Sequence, residues 1–131
     1  MALPMWSHTT VLAPEALSAS LARDFVADHL EGHGLPDLVE AVRLVTSELA
    51  TNAMLHAGTS FTVSLSRTDH AVLVVVEDES VSAPVPHASG AMDTGGRGLA
   101  IVAEISRGWG VWARDGAKSV WATFDVLDGG N

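Results

Sequence analysis

Apolar residues recur at helical spacing in two stretches of the N-terminal half. Between residues 14 and 30, Leu17, Leu21, Phe25 and Val26 recur at helical spacing, while Arg23, Asp24 and Asp28 lie on other faces. That is the pattern of an amphipathic helix. Pro14 suits the first turn, where its missing N–H leaves no bond unmade, and Gly32 and Gly34 supply a stop. A second helix is predicted to open at Pro36 and Asp37, with its apolar stripe running through Leu38, Val42, Val45 and Leu49. It should continue to His56 or Ala57, where Gly58 is placed to end it.

The pattern then changes period. Residues 60–66 and 71–77 are rich in β-branched side chains and are separated by the polar segment Arg67-Thr68-Asp69-His70, which predicts an antiparallel hairpin. Residues 72–76 are apolar at every position, so this strand is expected to be central and covered on both faces. Residues 78–96 have no period and collect Ser, Pro, His and Gly; a loop this long inside a domain is typically functional or mobile. A short helix over 99–106, opening at Gly98, leads to two last strands, 109–113 and 119–126, joined through residues 114–117. Residues 6–12 can add an edge strand, and the tail from about 127 to 131 should fray. Without repeats or a linker, residues 1–131 are expected to form a single domain. Grouped helices and adjacent antiparallel strands predict an α+β fold, a two-layer α/β sandwich. Its sheet is expected to be mixed but mostly antiparallel, with the helices on one face. A doubly wound nucleotide fold is not predicted.

Composition narrows the functions open to such a fold. The 131 residues include 7 Lys+Arg against 16 Asp+Glu, a net charge of −9, and no cysteine. Phosphate backbones are attracted by clustered Lys and Arg, so direct nucleic-acid binding is disfavoured. The missing cysteines exclude disulfides, thiolate metal sites and a Cys nucleophile. No stretch approaches the ~20 apolar residues of a membrane span, and the start MALPMWSHTT lacks the basic and apolar regions of a secretory signal. A cytoplasmic protein with no membrane partner is expected.

Three groups of residues could carry chemistry. Glu48, Asn52 and His56 are four residues apart on the second helix and form a side stripe bordering the apolar one, drifting by ~40° per step. A carboxylate and an amide there can orient water and offer oxygen ligands to Mg²⁺; the plainer alternative is a solvated helix edge with polar i,i+4 pairing. Zinc is disfavoured, because neither an H-E-x-x-H pattern nor a third clustered histidine is apparent. Asp78 directly follows the most apolar strand and could accept a hydrogen bond from an exocyclic amine, or simply begin a turn. Thr94-Gly-Gly-Arg-Gly-Leu99 is a glycine-rich turn opening a helix. Its N–H groups could converge on an anion, although it is neither a P-loop nor a dinucleotide fingerprint.

Taken together, the ordered set E-L-A-T-N-A-M-L-H-A at 48–57, V-V-V-E-D-E-S at 74–80 and G-G-R-G-L at 95–99, with K-S-V-W at 118–121, resembles the GHKL superfamily of gyrase- and histidine-kinase-type ATP-binding domains. More narrowly, it resembles the small anti-sigma-factor serine/threonine kinases of actinobacterial type, over nearly the whole chain. The resemblance implies ATP and Mg²⁺ as cofactors. Glu48 would be the catalytic general base and Asn52 the Mg²⁺ contact bridging to the phosphates. Asp78 would bind the adenine amine, and Gly96, Arg97, Gly98 and Leu99 would form the turn near the phosphates. Ser119 would take the hydroxyl position near adenine. Phosphoryl transfer asks mainly for positioning and charge neutralisation. The implied function is an ATP-binding anti-sigma regulator that sequesters a sigma factor and phosphorylates an anti-anti-sigma antagonist, with a homodimer left open.

The sequence also departs from the family pattern. Glycines usually follow the aspartate, but Glu79, Ser80, Val81 and Ser82 follow Asp78, and Ala117 stands where glycine is common. These changes define a second reading, a catalytically degenerate, non-enzymatic interaction module on the same fold that works by partner exchange. A histidine-kinase fragment ranks third, since the two N-terminal helices lack the phospho-acceptor hairpin, and a metal hydrolase last. Trp109, Trp112 and Trp121 lie on or beside the last hairpin and are expected to pack there; an exposed tryptophan would mark a partner surface.

Overall fold

Alternating burial along the strands explains the architecture in a computed structural model, which describes residues 4–79, 96–114 and 116–126. The elements run β1 (Trp6–Leu12), α1 (Leu17–Gly32), a 3₁₀ turn (Pro36–Leu38), α2 (Val39–Ala57), β2 (Phe61–Arg67), β3 (Ala71–Asp78), α3 (Gly96–Ile105), β4 (Gly108–Arg114) and β5 (Ala117–Asp125). The strands form one sheet in the order β1-β2-β3-β5-β4. Every described pairing is antiparallel, where the sequence left room for a mixed sheet. The fold is α+β, as expected, and β3 is its central strand. None of the described helices is long and apolar enough to cross a membrane.

Directly opposed residues share a face of an antiparallel sheet, so the register assigns each side chain to a layer. Val63, Val76, Val120 and Val111 form one cross-strand row, and Leu65, Val74 and Ala122 form part of the next. Apart from Val111 on the edge strand, these residues are buried, and they face the helices. Burying each Val or Leu side chain contributes ~1.5–3 kcal/mol. From above, α2 fills this layer with Val42, Val45, Leu49, Ala50 and Ala53. It lies over β3 and touches both other helices. Its end follows the sequence reading: Gly58 adopts φ 66°, the left-handed conformation that glycine takes without a Cβ penalty.

Two expectations about burial are corrected. In α1 the buried line is Ser18, Ala22, Val26 and Leu30, whereas Leu17 and Leu21 are 60% and 43% exposed. The small residues Ser18 and Ala22 let the helix approach its neighbours closely, and the Ser18 hydroxyl is satisfied by donating to the Ala13 carbonyl at 2.6 Å. Among the described residues, helices cover β3 on one face only. Leu73 and Val75 lie on the other face, half-buried, with Val75 directly opposite Trp121. Trp121 in turn lies across Gly110, where an added Cβ would stand 2.7 Å from the ring. Among the described residues, cross-strand packing and not a second layer shields this face. Trp109 packs against the core, while Trp112 is 56% exposed.

Candidate functional site

The residues singled out from the sequence lie on α2, at the end of β3, in the first turn of α3 and on β5. Glu48 and Asn52 lie one turn apart on α2, beside the buried Leu49 and Ala53, and both are half-buried. They therefore sit at the edge of the apolar layer, as their spacing predicts. Asp78 closes β3 and is only 2% exposed, with Phe61 and Lys118 as its cross-strand neighbours. Residues 58–60 link α2 to Phe61, and a chain advances at most ~3.5 Å per residue. The last turn of α2 thus lies within ~14 Å of the strand end where Phe61 pairs with Asp78. The third residue of the stripe, His56, lies in that turn, but its side chain falls outside the described residues.

Gly96, Arg97, Gly98 and Leu99 form the first turn of α3, which is described from Gly96 and not from Gly98. Leu99 is half-buried; the side chain of Arg97 and the surroundings of Gly96 and Gly98 are outside the described residues, as is the expected loop from 80 to 95. α3 packs against α2 and β4. It ends just before Gly108, whose partner Thr123 also pairs with Leu73, toward the end of β3 remote from Asp78. Its 10 residues span ~15 Å, close to the ~17 Å between Leu73 and Asp78 along the strand. That length suffices to return its N-terminus toward the Asp78 end.

Ser119 is not brought to this group. It pairs with Glu77 and Trp112 and so lies on the face away from the helices. Strand parity gives its expected place to Lys118, which is opposite Asp78. The signal was present in the sequence: with Val120, Ala122 and Phe124 pointing inward, residue 118 must share their face and residue 119 cannot.

The donor set suits an adenine nucleotide with a hard divalent ion. A buried carboxylate beside a buried aromatic ring can accept from an exocyclic amine and pack a flat base. Oxygen donors from Glu48 and Asn52 match the preference of Mg²⁺ for oxygen, and the first turn of α3 presents backbone N–H groups to an anion.

A second constellation overturns the expectation that no third histidine is clustered. His8 on β1 meets His29 in the last turn of α1 and His33 just beyond it, and one candidate ligand nitrogen from each lies within 4.8 Å of the others. The i,i+4 spacing of His29 and His33 is visible in the sequence, but the contribution of His8 depends on the packing of α1 against β1.

A family model described as the histidine kinase-like ATPase domain matches residues 12–124 of the chain. No curated protein matches it.

Proposed function

Because the chain belongs to the histidine kinase-like ATPase domain family, whose members are built to bind ATP, we propose that it is an ATP-binding regulator of the anti-sigma type and a protein serine/threonine kinase. The buried carboxylate of Asp78, at the end of the central strand against which the helix bearing Glu48 and Asn52 packs, carries this reading. Asp78 would accept the adenine amine, and the Asn52 oxygen would ligate Mg²⁺. The N–H groups of Gly96, Arg97, Gly98 and Leu99 would face the phosphates. Glu48 would take the proton of a serine or threonine hydroxyl on an anti-anti-sigma antagonist. Bound ATP would supply the transferred phosphoryl group. Lys118, opposite Asp78, would add positive charge to a chain that has few cations.

The proposed partner is a sigma factor, held by a protein of net charge −9 through electrostatic complementarity to a basic, DNA-facing surface. The exposed Trp112, beside Trp121 on the open sheet face (ring centroids 5.8 Å apart), supports a partner surface there. A non-enzymatic module working by partner exchange is the second reading. It is favoured by the glycine-poor sequence after Asp78 and by Ser119 facing away from the site.

Calorimetric titration with Mg·ATP and Mg·ADP tests the proposal. Binding should be tight and should weaken by at least about tenfold in Asn52→Ala, the loss of one charge-assisted contact. Glu48→Ala should retain binding but lose transfer from labelled ATP to an antagonist. Absence of binding at millimolar nucleotide would reject the ATP-dependent reading; binding without transfer in the unmodified protein would favour the module.

A further inference from the structure

We propose that His8, His29 and His33 form a binding site for a borderline divalent metal ion, zinc, that joins the edge strand β1 to the end of α1. This site is independent of the nucleotide reading. It is assembled from two elements. His8 is opposite the buried Leu65, so it points to the helix side of the sheet, where α1 packs against β1. His29 lies in the last turn of α1, and the His33 N–H donates to the His29 carbonyl at 3.0 Å, which fixes the spacing of the two.

The three rings are tightly arranged. The His8 and His29 rings stack at 3.7 Å with 13° between planes. His8 Nε2 and His33 Nε2 are 2.9 Å apart. The outer sides are walled by aromatics: Trp6 stacks on His33 at 3.9 Å and 5°, and Phe25 meets His29 edge-on at 4.8 Å.

The chemistry selects the ion. Three imidazole nitrogens suit Zn²⁺ and its late first-row neighbours, and not Mg²⁺ or Ca²⁺. Zn–N bonds of ~2.0–2.1 Å in a tetrahedron place ligand nitrogens ~3.3 Å apart. The His8–His33 pair is already near that separation, and the remaining nitrogens, within 4.8 Å, need close by only ~1.5 Å. His33 is exposed, so a fourth position can be taken by water. The bound ion would hold an edge strand, the element of a sheet most prone to fray or to pair wrongly.

The test uses the full-length, tag-free protein stripped with chelator and titrated with Zn²⁺ by calorimetry, with Co²⁺ absorption as a reporter of tetrahedral geometry. One Zn²⁺ should bind per chain at micromolar or lower concentration, and Co²⁺ should give the intense visible bands of a four-coordinate site. At about a hundredfold excess over Kd, Zn²⁺ should raise Tm by about 10 °C. His29→Gln and His8→Gln should each weaken binding by at least about tenfold, and so should His33→Gln, whose exposed side chain makes unfolding no explanation. His70→Gln, an exposed histidine on the β2–β3 turn, should change nothing. Failure to saturate at tens of micromolar Zn²⁺, or undiminished binding in His33→Gln and His29→Gln, would overturn the proposal.

Discussion

The two faces of the sheet carry residues of similar chemistry to different ends. On the helix side, Asp78 ends the buried β3 column of Val72, Val74 and Val76, and the half-buried Lys118 ends the β5 column of Val120, Ala122 and Phe124. On the open side, Glu77 and Ser119 are the corresponding pair, one residue away on the same strands, beside exposed or half-exposed tryptophans. A single step along a strand thus separates a buried carboxylate from a solvated one. Low local dielectric strengthens whatever hydrogen bond the buried carboxylate makes, and leaving that bond unmade is costly.

The largest contrast is in stability. Val74→Asp places a charge among fully buried side chains and should cost more than about 4 kcal/mol, enough to unfold a domain of this size. Val75→Asp, on the open face, should leave a cooperative urea transition with a loss of about 1–2 kcal/mol. Equal effects would show that the open face is also core. The next contrast concerns the ligand. Asp78→Asn should weaken ATP binding by about 10–100-fold, the loss of a charged hydrogen bond, whereas Ser119→Ala should change it by less than about twofold. A strong effect of Ser119→Ala would put that hydroxyl back in the site. Within the open face, Gly110→Ala should displace Trp121 and cost about 1–3 kcal/mol through overpacking, detectable as a shift in tryptophan emission. The smallest effect is expected from Arg107→Ala. Its 3.5 Å ion pair with Asp125 is largely exposed, and its removal should cost below about 1 kcal/mol in urea unfolding.

The same contrast explains what the sequence revealed and what it hid. Element positions follow from local signals: Gly58 ends α2, β-branched runs mark β2 and β3, and residues 6–12 form the edge strand. Glu48, Asn52 and Asp78 stand out as candidates because each belongs to a short motif whose order along the chain is distinctive. Face assignments were harder. Leu17 and Leu21 are the more hydrophobic residues of α1, but close helix packing buries the smaller Ser18 and Ala22. Ser119 was placed by motif, and strand parity moves the position to Lys118. The apolar run of β3 suggested two covered faces, yet one is shielded by Trp121 lying across Gly110, a contact between β4 and β5 that no local pattern encodes. His8, finally, is 21 residues from His29, and only the docking of β1 against α1 unites them.

The central claim is that Asp78 reads the amine of adenine from a buried position on the helix-facing side. Calorimetric comparison of ATP with inosine triphosphate, which carries an oxo group where adenine has its amine, tests it most directly. The unmodified protein should prefer ATP by at least about tenfold, and Asp78→Asn, whose amide can donate to the oxo group, should erase or invert that preference. Equal affinity for the two nucleotides in the unmodified protein, or an undiminished preference in Asp78→Asn, would contradict the claim.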